Sequence, residues 1–269
     1  MKKRFLINKI VLGLAWFCAI LGLSFLLWIL VVLCERGIGS LSFSLFTKDL
    51  ISNGLRNLII GQLVLSGLAC VISIPLGIFA GIYLQEYANH KFAGLIRNLN
   101  DVMLSIPSII IGAFIYILIV IPSGGTNGFA GVLSLAILVL PIVVNTSDNM
   151  LSLVPKELRE AGIALGANKH KIILNIVLKG AKAGIVTGLL LAFGRIIGET
   201  APLLFTSGTS NFFNLDLTKT FPSLSVSIYN LANDPSQVSR NLAWSGAFIL
   251  TFIVLLINII GRILTRNKG

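Results

Sequence analysis

The sequence predicts an all-α membrane protein with six transmembrane helices, and three observations carry that expectation. The 269 residues are 55% hydrophobic and only 12% charged, with a mean hydropathy of +0.93, against roughly 25% charged residues in a soluble domain. Six apolar segments, 10–34, 58–84, 102–121, 129–147, 183–206 and 243–261, are long enough to span a bilayer, and only 183–206 contains a charged residue. At about 1.5 Å per residue, even the shortest just crosses a hydrocarbon core of about 30 Å. The third observation is the placement of the cations. With the N-terminus inside, the inner segments (1–9, 85–101, 148–182 and 262–269) hold 15 Lys or Arg, and the outer segments (35–57, 122–128 and 207–242) hold 5. This bias places both termini in the cytoplasm. The net charge of +11 therefore reports topology, since no soluble basic domain exists that could grip a nucleic acid.

The first segment follows Met1-Lys2-Lys3-Arg4, which resembles the basic start of a signal peptide. Its apolar run, Ile10–Cys34, far exceeds an h-region of about 7–15 residues, so a retained anchor is expected. Residues 1–57 are read as an N-terminal tail, first helix and outer loop; residues 58–269 are read as a five-helix working core. Asn57 and Gln62, at the second span, suit either the path or an interhelical hydrogen bond. Pro107, between Ser105 and Ser108, marks a kink or the start of the third span. Asn145, Thr146 and Ser147 end the fourth near the interface. Cys18, Cys34 and Cys70 show no pairing pattern and are read as packing residues. The outer loop 207–242 carries Phe212, Phe213, Phe221 and Tyr229 with Pro222 and Pro235, as an ordered loop or short surface helices would.

The inner connection 148–182 has its own pattern. Pro155 suits the first turn of a helix, and Leu158, Ala161 and Leu165 follow at helical spacing. Gly166 fits a helix C-terminus and Asn168 an N-cap for a second helix from Lys169. Ile172, Ile173, Ile176 and Val177 give that helix an apolar face. Two short helices meeting at an angle are expected, a shape suited to docking into a cleft of another protein. A basic loop lying on anionic headgroups would also use Lys156, Arg159, Lys169, Lys171, Lys179 and Lys182.

The fifth span holds the charged pair. Arg195 and Glu199 are four residues apart and share one helix face. Gly184, Gly188, Ala192, Arg195, Glu199, Pro202 and Thr206 form a small or polar stripe on the helical wheel. A charge near a bilayer centre costs about 2.5–3.5 kcal/mol on insertion scales, so such residues mark a transport path by default. A packing ion pair is the plain alternative. Other chemistry finds no support. No Gly-Lys dipeptide occurs, so there is no phosphate-cradling G-x-x-x-x-G-K-[ST] loop, and neither H-E-x-x-H nor G-x-S-x-G appears. His90 and His170 have no ligand spacing, and no metal is assigned. The chain is not expected to be an enzyme, and energising transport requires a separate ATPase.

Glu160-Ala161-Gly162, followed after three residues by Gly166 and after nine more by Ile176-x-Leu178, resembles the EAA motif of ABC importer permeases. Gly162 stands where that motif has Ala, and Lys179 where many members have Pro. REAGIALGANKHKIILNIVLKG (159–180) and LLLAFGRIIGETAPLLFTSG (189–208), with SIPSIIIG at 105–112 and LPIVVNTSDNMLSLVPKELREA at 140–161, are similar to the A-type permease subunits of bacterial phosphate-uptake (Pst) transporters. The resemblance covers about residues 55–265. It implies a type I importer permease (MetI-like) core in a bacterial cell membrane. Glu160, Ala161, Gly162 and Gly166 would couple to the ATPase, and Arg195, Glu199 and Thr200 would line the substrate path. It also implies a heterodimer with a second phosphate permease subunit, two cytoplasmic ATPase subunits that bind ATP and Mg, and an extracytoplasmic phosphate-binding protein. No cofactor is expected in this chain. Permeation of another oxyanion such as sulfate or molybdate, or an anchor or sensor role in phosphate signalling, remain as alternatives.

Overall fold

The computed structural model describes residues 2–266, and among them it contains helices, turns and loops but no strand. The first and last residues of the chain, expected inside, lie outside the described residues. In order, the long elements are α1 (Lys2–Gly39), α3 (Arg56–Glu86), α4 (His90–Ser105), α5 (Ser108–Ile115), α7 (Gly128–Ser152), α10 (Leu178–Ile197) and α13 (Gln237–Arg266). Between them lie shorter pieces: α2 (Ser44–Thr47), α6 (Ile121–Ser123), α8 (Lys156–Ala164), α9 (Lys169–Ile172), α11 (Ala201–Phe205) and α12 (Leu224–Ala232). Among the described residues, five helices are long and apolar enough to cross a membrane, or up to six if one bent pair is counted as a span.

The core sits where α3, α7 and α10 meet. Leu65, Ala69, Leu135, Val139, Val143 and Ile196 are buried there. α3 and α7 approach closely because α3 presents glycines. A Cβ at Gly81 would lie 2.5 Å from the Ser147 Cβ, and one at Gly77 2.6 Å from Val143; only hydrogen lets these backbones meet. By contrast, the spanning stretch of α1 buries none of its residues within the chain. It is held at one end, where Gly37 abuts Phe248 and Ser245 Oγ donates to the Ser40 carbonyl at 3.0 Å.

Several expected boundaries are corrected. The third span bends at Pro107, as expected, so the run drawn from 102 to 121 is not one straight helix. α4 meets the run Ser108–Ser123 at 94°, because Pro107 removes an N–H and forces Ile106 into an extended conformation (ψ 127°). α4 itself is amphipathic and carries Arg97 and Asp101. The fourth span runs on to Ser152, and the last begins at Gln237. The expected short helix from Lys169 is instead the first turns of the fifth span: α9 passes through a π-turn, Ile173–Val177, into α10, so one helical run extends from Lys169 to Ile197. Asn168 occupies the N-cap position, but its side chain makes no capping bond.

At its other end the fifth span stops at Ile197, short of 206. The chain breaks over Gly198–Thr200 and re-forms as α11, where Pro202 is fixed early in the new helix. The stripe drawn through one continuous helix therefore divides. Gly184 and Gly188 face Met150 and Thr146 of α7, while Ala192, Pro202 and Thr206 are buried. A helix that ends inside a membrane protein leaves carbonyls without partners, and α3 supplies one. Gln62 Nε2 donates to the Ile197 carbonyl at 2.9 Å, and its Oε1 accepts from Ser223 Oγ at 2.9 Å and from the Ser225 amide at 3.3 Å. Ser225 Oγ donates to the Glu199 carbonyl at 2.7 Å. Asn57 similarly donates to the Ser210 carbonyl at 2.9 Å and accepts from the Leu50 amide at 3.0 Å. Both side chains thus make interhelical or helix–loop bonds.

The 207–242 loop is ordered, as expected. It folds back so that Phe221 is fully buried beside Gly128, and it then forms α12, which packs between α3 and α13. Phe212, Phe213 and Tyr229 remain exposed. Near the loop's exposed turn, the Thr218 hydroxyl and amide hold the Asp216 carboxyl below the usual carboxylate range.

Candidate functional site

Between α7 and α10 lies an open groove of about 650 Å³, closed at one edge by Leu104 of α4. At its floor, Gly184 and Gly188 let Met150 and Thr146 of α7 pack directly against α10, where a Cβ at either glycine would lie 2.2 Å from them. Its apolar walls are Ile142, Met150 and Leu191, and its polar lining is Asn145, Thr146, Asn149, Thr187 and Arg195. Asn145 and Thr146 are thus lining residues, whereas Ser147 is turned into the α3 contact, where its hydroxyl is buried with no hydrogen-bond partner among the described residues.

Arg195 is the only charged residue of that lining. Its side chain is 58% exposed, and Glu199 Oε1 stands 3.9 Å from Nε, beyond hydrogen-bond reach. No other described side chain bonds the guanidinium, so its donors are available to an oxyanion, whose oxygens a planar guanidinium can hold in pairs. The pair does not share one helix as its spacing suggests, for Glu199 follows the end of α10. It is only 17% exposed by side chain, and its backbone is pinned by Ser225. Thr200 opens α11 without a side-chain capping bond. Of the three residues assigned to a path, the structure brings Arg195 into the groove and leaves Glu199 and Thr200 at the break beside it.

The second candidate surface is the corner between α8 and α9. Gly166 has φ +75° with nothing near its missing Cβ, the left-handed conformation that ends helices. Gly162 is buried, and a Cβ there would stand 3.0 Å from Ile172 and 3.1 Å from Ile176, so the glycine lets the two helices pack tightly. Glu160, Ala161 and Gly166 are exposed. Beside them Leu158, Ile163 and Leu165 project outward, Leu165 at 87% exposure. This is an apolar knob on an otherwise polar loop.

Two ion pairs were not anticipated. Arg97 of α4 binds Asp148 of α7 through both carboxylate oxygens, at 2.6 and 2.9 Å, and also reaches Gln85 Oε1 at 3.3 Å. They border a polar cavity of about 430 Å³ that also includes Asn100, Asp101, Asn145 and Asn149. Arg159 of α8 binds Glu86 of α3 at 2.8 and 3.0 Å, while also donating to the Leu151 and Val154 carbonyls at the end of α7. A signal for both was present in the sequence. Glu86 and Asp148 lie in the last turns of long helices, where the macrodipole disfavours an anion; an acid kept there implies a cation partner nearby.

The family described as binding-protein-dependent transport system inner membrane component matches residues 73–267. The phosphate transport system permease protein PstA of Haemophilus influenzae is 45% identical over 97% of this chain and 94% of its own length. That of Yersinia pestis is 45% identical over 97% and 90%. The probable phosphate transport system permease protein PstA of Methanocaldococcus jannaschii is 31% identical over 94% and 92%. Among solved structures, a chain of a bacterial alginate ABC transporter in complex with an alginate pentasaccharide-bound periplasmic protein has a TM-score of 0.69 at 16% identity, covering 99% of this chain and 96% of that one. A chain of the MetNI methionine ABC transporter in an inward-facing conformation gives 0.63 at 19%, covering 85% and 100%. At such identities the structural likeness shows the fold alone, one shared with these ABC transporter chains.

Proposed function

Since this chain belongs to the family of binding-protein-dependent transport system inner membrane components, we propose that it is the membrane-spanning permease subunit of an ATP-driven importer of inorganic phosphate. The observation that carries the substrate is Arg195: one half-exposed guanidinium in a groove otherwise lined by neutral side chains, with its carboxylate partner too far to occupy its donors. The names of near full-length relatives support the same anion. Phosphate oxygens would replace the missing hydrogen bonds at Arg195, while Glu199 balances the charge when the groove is empty and Thr200 borders the break. Residues 58–269 form the working core, and residues 1–57 contribute a peripheral helix.

The open groove is one wall of a path, and a second related permease supplies the other. The corner bearing Glu160, Ala161, Gly162 and Gly166 faces the cytoplasm, as do both termini, and seats Leu158, Ile163 and Leu165 in a partner ATPase. Two such ATPases hold ATP and Mg, and an extracytoplasmic phosphate-binding protein delivers to the opposite side, where the 207–242 loop lies. ATP binding closes the ATPases and opens the path outward; hydrolysis resets it. The test is reconstitution: the permease pair, ATPase and binding protein in proteoliposomes should take up phosphate on ATP addition, with sulfate and molybdate failing to compete. Uptake of sulfate or molybdate in preference to phosphate would overturn the substrate, and absence of a stable ATPase complex would overturn the transport role.

A further inference from the structure

The α8–α9 corner is joined to the membrane helices by more than the chain itself. Arg159, on α8, places one guanidinium across three groups at once: the Glu86 carboxylate, at the last residue of α3, and the Leu151 and Val154 carbonyls, where α7 ends. Both side chains are largely buried, with exposures of 17% for Arg159 and 9% for Glu86, so the contact is screened by salt less than a surface pair. A second cation grips the same spot from the other side of the corner. Lys169, which opens α9, donates Nζ to the Glu86 carbonyl and lies 4.1 Å above the Tyr87 ring, within cation–π range. Each of the two corner helices thus sends one cation to the end of α3. The ends of α3 and α7 are themselves locked together through Gly77 and Gly81.

We propose that Arg159, braced on Glu86, is the positioning residue that converts displacement of the docking corner into movement of the α3–α7 pair, and so of the groove that α7 lines. This rests on the corner's being the ATPase-docking element. The α8 helix meets the core otherwise through small side-chain contacts such as Gly162 on Ile172 and Ile176, which lie within the corner and its own following helix. A push on α8 could therefore be absorbed by tilting at Leu153–Pro155, which joins α7 to α8, unless Arg159 spans that joint. It does: its guanidinium bonds the Leu151 carbonyl, in α7 beyond the joint, and also that of Val154 within it.

The experiment uses the assembled transporter in proteoliposomes and reads phosphate taken up per ATP hydrolysed, together with ATPase co-purification. Arg159→Gln and Glu86→Gln should each retain the ATPase and hydrolyse ATP while phosphate per ATP falls at least about 10-fold. Arg159→Lys should be intermediate, since an ammonium can meet Glu86 but cannot bridge all three acceptors. In a background lacking Cys18, Cys34 and Cys70, Glu86→Cys with Arg159→Cys should be uncoupled when reduced and regain coupling when a short bifunctional thiol reagent joins the two sulfurs. A covalent strut can replace a mechanical link but not a lost docking contact. If phosphate per ATP is unchanged in Arg159→Gln, or if the cross-linked pair assembles and stays uncoupled, the proposal is overturned. Failure of the unmodified complex to couple phosphate to ATP would count against the transport reading itself, and is thereby distinguished.

Discussion

Replacing Gln62 by Met tests how the break in the fifth span is held. Methionine keeps nearly the same volume but offers no strong donor or acceptor. The Ile197 carbonyl loses its donor and the Ser225 amide its acceptor, whereas the Ser223 hydroxyl can turn to Ser225 Oγ, 3.3 Å away. Two buried backbone groups are therefore left unsatisfied. At about 1–3 kcal/mol each, with partial relaxation, the expected loss is about 3 kcal/mol. For a chain of this size that corresponds to roughly 6–12 °C in melting temperature. The assay is the fraction of purified complex still monodisperse after heating in one detergent, with phosphate uptake measured in parallel; uptake should also fall, because the same bond network sets Glu199 beside Arg195. Ser66→Ala is the matched control. Ser66 Oγ is buried on the same helix without a hydrogen-bond partner among the described residues, so its removal should be neutral or slightly stabilising. A Gln62→Met protein that melts within about 2 °C of the unmodified chain, or a Ser66→Ala protein as damaged as it, would refute the argument from unsatisfied groups.

Three further outcomes are expected. Arg195→Gln should abolish uptake while insertion and subunit assembly persist, and Arg195→Lys should rescue only part; if the double change Arg195→Gln with Glu199→Gln restored near-normal uptake, the pair would be a packing device and not part of the path. Gly166→Val forces a β-branched residue into φ +75°, at a cost of about 1–3 kcal/mol, and should weaken ATPase association or uncouple hydrolysis from uptake; unchanged values of both would remove the docking assignment. Arg97→Met leaves Asp148, 9% exposed by side chain, without its cation. It should destabilise the protein by about 1–2 kcal/mol, less than for a fully buried pair because Arg97 is 43% exposed by side chain, read by the same heating assay, with Asp148→Asn in addition recovering most of the loss.

The sequence by itself determined the all-helical, membrane-spanning class and located four of the expected runs as single long helices. Uncharged apolar runs can bury their backbone polar groups in lipid only as helices, so 10–34, 58–84, 129–147 and 243–261 each correspond to a long helix of the structure. The α8–α9 corner was legible for a similarly local reason: Gly166 and the periodic apolar residues on either side set a turn between two helices without help from the rest of the chain. Gly162 was visible as a departure from a motif, but its packing against Ile172 and Ile176 was not.

Only the tertiary structure decided where the fifth span ends and what its charges do. Helical spacing made Arg195 and Glu199 neighbours on one helix; the fold stops that helix at Ile197 because Gln62, 135 residues earlier, and Ser225, beyond the loop, satisfy the backbone groups that the break exposes. No local pattern encodes a bond between residues so far apart. The same holds for Arg97 with Asp148 and Arg159 with Glu86. Each acid was conspicuous at its helix end, where the dipole opposes it, yet the partner is chosen by how α3, α4, α7 and α8 pack. Sequence periodicity specifies which faces are apolar; which charges meet across them depends on the three-dimensional approach of helices, and that approach is set by glycines whose significance appears only when the opposite backbone is in place.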